Sequence, residues 1–279
     1  MATWQIDGPQ RLSPEDEVGQ LDVWLVHGKL HVVGTDGPAR IEVRKVGRKG
    51  LTVTHENGVL SVRHDAPKAW WGFVNFGWGG RQPSYTADVI IAVPPHVAGN
   101  LTVVAGDVVV SALRHDVSVD VTSGSIAVMG LGGVVRAKTV SGSIEAVGVS
   151  GDLSMATVSG EISLADSSAD RVHARTISGA VTCDLGNPFA RDVIIDTVSG
   201  SITIRVPEDA DLRVSLGAAS GSVSSAFAQV PASNTMGTHT ASGRIGAGSG
   251  KLRAYAVSGT VSLLASPAVG DALPDESAA

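Results

Sequence analysis

A Ser-Gly pair followed two residues after the glycine by Ile or Val occurs eight times in one half of the chain. The pairs are Ser123-Gly124, Ser141-Gly142, Ser159-Gly160, Ser178-Gly179, Ser199-Gly200, Ser220-Gly221, Ser242-Gly243 and Ser258-Gly259. Successive glycines are 18, 18, 19, 21, 21, 22 and 16 residues apart. A chain that returns to the same local chemistry at so short a period builds one supersecondary unit repeatedly and stacks the copies to bury a shared core.

Each repeat carries two alternating segments. After the glycine, apolar residues fall at the second and fourth positions, as in Ile126 and Val128, Ile144 and Ala146, Ile162 and Leu164, and Ile202 and Ile204. Before it, a weaker alternation runs through Leu153-x-Met155-x-Thr157, Val172-x-Ala174-x-Thr176 and Val193-x-Ile195-x-Thr197. A period of two places one face of a strand against a core. Two strands of five or six residues with two short turns consume about 18 residues, so each repeat closes one coil. The predicted fold is all-β, a single-stranded parallel β-helix or β-solenoid of about 18–22 residues per coil; its handedness is left open. Stacked in register, the eight serines form one hydroxyl ladder and Thr139, Thr157, Thr176 and Thr197 begin another. The glycines supply tight corners that a Cβ would resist. These serines and glycines are read as structural, since a ladder needs no catalytic partner.

The rest of the chain fits round that core. Residues 21–63 alternate like strands, with Asn57-Gly58 as a hairpin turn. Residues 1–85 are expected to form an N-terminal β capping region, 86–265 the solenoid, and 266–279 a disordered tail. Glycine is frequent, at 34 residues, and aromatics make up only 4%, which suits many short strands with small branched core residues.

Charge and cysteine content exclude several function classes. The net charge is −6 and the basic residues are scattered along the sequence, so a nucleic-acid partner, which needs clustered cations, is not expected. One cysteine, Cys183, allows no internal disulfide, and its inward position makes it a small core side chain. The N-terminal residues lack the basic start and apolar run of an export signal, and Pro94, Pro95, Gly99 and Asn100 break the one uncharged stretch long enough to span a bilayer. A cytoplasmic location, with the inner membrane face as a peripheral option, follows.

With these residues in view, the chain resembles the bacterial putative adhesin family, and among it the actinobacterial members without a signal peptide. The resemblance spans residues 20–265. It rests on the reiterated Val-Ser-Gly-x-Ile/Val units, on the Val93-Pro94 step after the alternating segment 87–93, and on Ala105-Gly106-Asp107-Val108. It implies a β-solenoid with no catalytic residues and no cofactor to carry over.

Five of the chain's aromatic residues, Trp70, Trp71, Phe73, Phe76 and Trp78, cluster in 69–81. They are expected either to plug the open end of the solenoid or to contact a protein or membrane partner. Catalytic and metal-site readings find no support. His27, His31, His55 and His64 lack metal-ligand spacing. Gly248-Ser249-Gly250-Lys251 looks like part of a phosphate loop, but Ile245 stands where the first glycine belongs and Leu252 where a hydroxyl does. Asp107, Asp116, Asp120, Asp152 and Asp170 are dispersed, which opposes a β-helix polysaccharide lyase. The expected function is a non-enzymatic, adhesin-like binding or scaffold module for an unidentified protein or membrane-surface partner. A polymerising scaffold resembling bactofilins is the alternative, and a homo-oligomer is compatible with both.

Overall fold

The computed structural model describes residues 2–64, 85–186, 192–235 and 238–267. These residues form strands and turns, with parallel and antiparallel pairs mixed and no α-helix among them. No helix in this set is long and apolar enough to cross a membrane. The chain divides into two compact units at Thr139/Val140, inside the repeat region.

The first unit contains β1 (Ala2–Ile6), β2 (Gln10–Leu12), β3 (Gln20–Gly34), β4 (Arg40–Val46), β5 (Leu51–Glu56), β6 (Val59–His64), β7 (Thr86–Val93), β8 (Ala98–Ser111), β9 (Val117–Ser123), β10 (Ile126–Met129) and most of β11 (Val134–Ser141). Here β3 is an interior rung. It pairs in parallel with β6 and β7 on one side and with β8 on the other. Next, β8 pairs in parallel with β9 and β10. On the far side of β6 and β7 the pairing turns antiparallel, through β5 and β1 beside β6 and through β4 and β2 beside β7.

The second unit continues with β12 (Ile144–Val147), β13 (Asp152–Ser159), β14 (Ile162–Ser167), β15 (Arg171–Ser178), β16 (Val181–Leu185), β17 (Asp192–Ser199), β18 (Ile202–Pro207), β19 (Leu212–Ser225), β20 (Ala232–Thr235), β21 (Thr238–Ile245) and β22 (Gly250–Ser266). Strands β13, β15 and β17 form one parallel series and β12, β14, β16 and β18 another. The rung order then departs from the chain order. Both halves of β22 dock in parallel on β17 and β18, and β19 pairs with the outer side of β22. Antiparallel β21 and then β20 follow β19.

The core is built by the alternation that the sequence carries. Val117, Val119 and Val121 in β9, and Leu153, Met155 and Thr157 in β13, point inward. Beyond each Ser-Gly corner the parity changes, so that Ile126 and Val128, or Ile162 and Leu164, fill the second strand's share of the interior. Polar side chains between them face outward.

Candidate functional site

The glycine corners fix which side chains reach the surface. In the second unit Gly142, Gly160, Gly179, Gly200, Gly259 and Gly221 follow one another across the rungs. A Cβ on Gly160 would stand 2.0 Å from the carbonyl oxygen of Gly142, and φ there is +152°. Neither the space nor the backbone accepts a side chain. In the first unit Gly124 stacks on Gly106 and Gly106 on Gly28, a row in which two corners lack a preceding serine. Ser242 and Gly243 lie elsewhere. Strand β21 runs antiparallel there, with Gly243 opposite Val214 and Ser242 opposite Ser215.

The serines before these glycines are exposed, and in the second unit Ser159, Ser178, Ser199, Ser258 and Ser220 are register partners in that order. Threonines two residues earlier point inward. Thr139 donates to the Gly124 carbonyl at 3.4 Å and Thr157 to that of Gly142 at 3.3 Å. Thr176 and Thr197 are as deeply buried, and their hydroxyls have no hydrogen-bond partner among the described residues. Hydroxyl-to-hydroxyl bonds form beyond the corner, between Ser222 and Thr260 and between Ser224 and Ser262.

In four repeats a branched aliphatic residue turned to solvent stands between the inward threonine and the outward serine, and in a fifth, at Val257, it follows the inward Ala256. Val140, Val158, Ile177, Val198 and Val257 are 42–50% exposed. Val158, Ile177, Val198 and Val257 occupy adjacent rungs in register, a consequence of the pairs Thr157↔Thr176, Thr176↔Thr197 and Thr197↔Ala256. Alternation from the buried threonine assigns these residues outward in the sequence itself. That signal is masked because Val and Ile beside a strand glycine read as core.

The same sheet face carries charge. Asp152 pairs with Arg171 at 3.1 Å and Arg175 with Asp196 at 3.4 Å, each linking neighbouring rungs. Towards β21 the acids run out. Lys251, Arg213 and Arg244 are successive cross-strand partners, and Arg253 lies two residues along β22 from Lys251. All four side chains are exposed, and none forms an ion pair among the described residues. Sequence reading treats these cations as scattered, because only the placement of β22 against β19 assembles them.

Other groups singled out by sequence are occupied structurally. In the Gly248-Ser249 loop, Asp211 accepts the Ser249 hydroxyl at 2.6 Å and the Ser249 N–H at 3.3 Å, with the Gly248 N–H on the same carboxylate. The Ser249 hydroxyl, its first cause, and these N–H groups hold the Asp211 pKa below the ordinary range. The loop thus binds the chain's own anion, and strand β22 follows it where a phosphate loop requires a helix. Asp107 accepts from the Ser125 hydroxyl at 2.7 Å across a rung, which lowers its pKa, with the Ser125 N–H and Lys29 assisting. Asp116 accepts the Val134 N–H at 3.1 Å. Burial pushes the Cys183 thiol up to about 12, so it stays protonated and inert at neutral pH.

His55 and His64 are buried in the first unit, where His64 Nδ1 accepts the Val26 N–H at 3.2 Å and the ring meets Tyr85 edge-on; His27 and His31 are exposed on β3. No group of His, Cys, Asp or Glu among the described residues has the arrangement of a metal site. The first unit also has a shallow depression of about 340 Å³ lined by Arg11, Arg40, Glu42 and Ile90. Glu42 accepts from Arg44 at 3.2 Å and lies 3.4 Å from Arg11; these guanidinium groups, Arg44 first, lower its pKa. Trp70, Trp71, Phe73, Phe76 and Trp78 lie outside the described residues.

Known proteins bear on this arrangement. A profile of the Toastrack DUF4097 family matches residues 32–264. The chain belongs to that family. Among solved structures, this Toastrack chain is similar to a putative adhesin of Bacteroides fragilis, with a TM-score of 0.50 and 13% identity over 94% of this chain and 96% of the other. Putative adhesins of Parabacteroides merdae and Parabacteroides distasonis align with TM-scores of 0.29 and 0.27 at 11% and 10% identity. Each alignment covers 92% of the Toastrack chain, and 95% and 98% of the respective relative. At these identities the first likeness speaks to the fold alone and the other two carry no argument. No curated protein matches the chain significantly.

Proposed function

We propose that this Toastrack chain is a non-catalytic binding or scaffold module that presents rigid, repeated strand faces to a protein or membrane-surface partner. The observation that carries the reading is the row of exposed Val and Ile residues in the second unit. Outward strand positions also accept polar side chains such as Thr, and a continuous exposed apolar row in register is the kind of surface that partners cover. Supporting it, each acid or thiol just described is held by a cross-rung or loop contact or buried, and none is paired with a base aimed at open space. The adhesin label of the Bacteroides fragilis relative agrees with a binding role.

On this reading the parallel rungs are the coils of a β-solenoid with about 18–22 residues each. The antiparallel strands of the N-terminal region serve as its cap, and the protein works in the cytoplasm or at the inner membrane face. A bactofilin-like filament needs open parallel strands at the ends of the rung series. Antiparallel strands end one side of the first unit's series and one of the two series in the second unit, whose other series ends on the parallel 220–225 half of β19; the antiparallel ends favour the discrete module. Sedimentation across concentration and salt separates the two, and a growing oligomer would favour the filament.

The deciding experiment is affinity capture with the wild type and with the Trp70→Ser, Trp71→Ser, Trp78→Ser variant, followed by titration of the purified partner. Saturable binding is expected. Release of products from a polysaccharide panel by the purified protein would replace this reading with the lyase.

A further inference from the structure

We infer that the outer face of β13, β15, β17, β22, β19 and β21 docks on a membrane surface rich in anionic phospholipid. Two independent features of that face meet in β22. The first is the cluster Lys251, Arg213, Arg244 and Arg253, on three adjacent strands. Like charges opposite one another across strands destabilise a sheet, and among the described residues the one acid in register with the cluster is Asp192, beside Lys251. Asp211, two residues before Arg213, is turned onto Gly248 and Ser249. Four cations with one acid in register and no ion pair among the described residues are complementary to an anionic surface.

The second feature is the aliphatic row, which reaches β22 at Val257, six residues from Lys251. Tyr255 stands between them, 45% exposed, with its ring lying over Gly217. Cations, then an amphipathic ring, then branched aliphatics is the order met on passing along a surface that engages both headgroups and the acyl boundary. A nucleic acid or an acidic peptide satisfies the cations but leaves the aliphatic row in water. Single strands of nucleic acid also call for a run of aromatic stacking platforms, and the outward positions of these strands carry one Phe, Tyr or Trp ring, Tyr255. The inference deepens the binding-module reading by naming the partner class of the same face.

The test is sedimentation of the full chain with vesicles of phosphatidylserine and phosphatidylcholine at 3:7, against vesicles of phosphatidylcholine alone. Binding to the anionic vesicles is expected, weakening as salt rises. Arg213→Gln, Arg244→Gln and Arg253→Gln together should lower partitioning about a hundredfold, at roughly tenfold or less per cation. Replacing the same three by Lys should retain most of it. The Val158→Thr, Ile177→Thr, Val198→Thr and Val257→Thr variant should bind about tenfold more weakly with an unchanged salt slope. Melting curves confirm that each variant is folded, and outward positions on strands accept Thr.

Equal binding to both vesicle types, or no binding, overturns the inference. So does an unaffected Gln variant. If the Thr variant binds like wild type, the face is a plain polyanion site and the lipid assignment falls. Preferential capture of oligonucleotide or polyglutamate over vesicles does the same. Saturable capture of a protein partner without vesicle binding leaves the binding-module reading intact and removes only the membrane.

Discussion

A methyl group at Gly160 would meet the Gly142 carbonyl carbon at 2.6 Å and its oxygen at 2.0 Å, both backbone atoms that cannot swing away. At Gly130 the backbone is also left-handed, with φ +59°, but no atom lies within 4 Å of the added carbon. Gly130→Ala therefore pays only the backbone term, about 1–2 kcal/mol. Gly160→Ala adds a steric conflict and should cost at least about 3 kcal/mol. Urea unfolding of the two variants gives the comparison, and equal losses would mean that the corners are not closely stacked. Cys183 supplies a second residue-scale prediction. Its folded pKa is raised to about 12 from 9.0, so the unfolded chain loses that proton first. The contribution of the neutral thiol is complete below pH 9 and declines from there to about 12, by up to about 1.4 kcal/mol per pH unit. Stability measured from pH 8 to 11 should fall less steeply in Cys183→Ala, and native Cys183 should react with a thiol reagent only as the chain opens. Both residues were legible in the sequence, the glycine from its recurrence and the cysteine from its place in the alternation. The exposure of Val158 and Ile177 was legible in principle, by counting outward from Thr157 and Thr176.

For the strands, existence was far easier to read than partnership. Alternation and Ser-Gly punctuation mark β13 to β18 almost residue by residue, because each strand's neighbour is the next repeat. Strand β21 shows where this fails. Its Ala241-Ser242-Gly243-Arg244-Ile245 has the repeat's composition, yet it pairs antiparallel with β19, since composition specifies a strand with one buried face but not the direction of its partner. Likewise β22 is the last repeat in the chain but an interior rung, held by β17 and β18 on one side and β19 on the other. Hydrogen exchange should reflect that position. Amides of β22 are expected to exchange at least about a hundredfold more slowly than those of β20, which pairs with β21 at the end of the series. Comparable rates would argue against the interior placement.

At the scale of the molecule, the placement of β22 links the fold to the surface. Arg213, Arg244, Lys251 and Arg253 form a cluster only because β19 takes β22 on one side and β21 on the other. Contacts between residues so distant in sequence leave no local trace, which is why the cations read as scattered and the surface they build was not visible. The placement of β22 beside β17 also implies that the second unit cannot complete its rung series until β22 has been inserted, a non-local step of the kind that slows folding. In each unit, the repeated corners and the alternation set the rungs, and long-range strand order sets what the rungs display.

That order is open to direct measurement by cysteine pairing. Ser199 and Ser258 are register partners on adjacent rungs, whereas Ser220 pairs with Ser258 on its other side. Adjacent rungs put Cα atoms about 4.8 Å apart and alternate ones about 9.6 Å, and a disulfide closes only within roughly 7 Å. Under mild oxidation the Ser199→Cys, Ser258→Cys variant should form an intramolecular disulfide, and the Ser199→Cys, Ser220→Cys variant should remain reduced. Closure of the second pair and not the first would show that the rungs follow the chain order, and the surface derived from β22 would go with it.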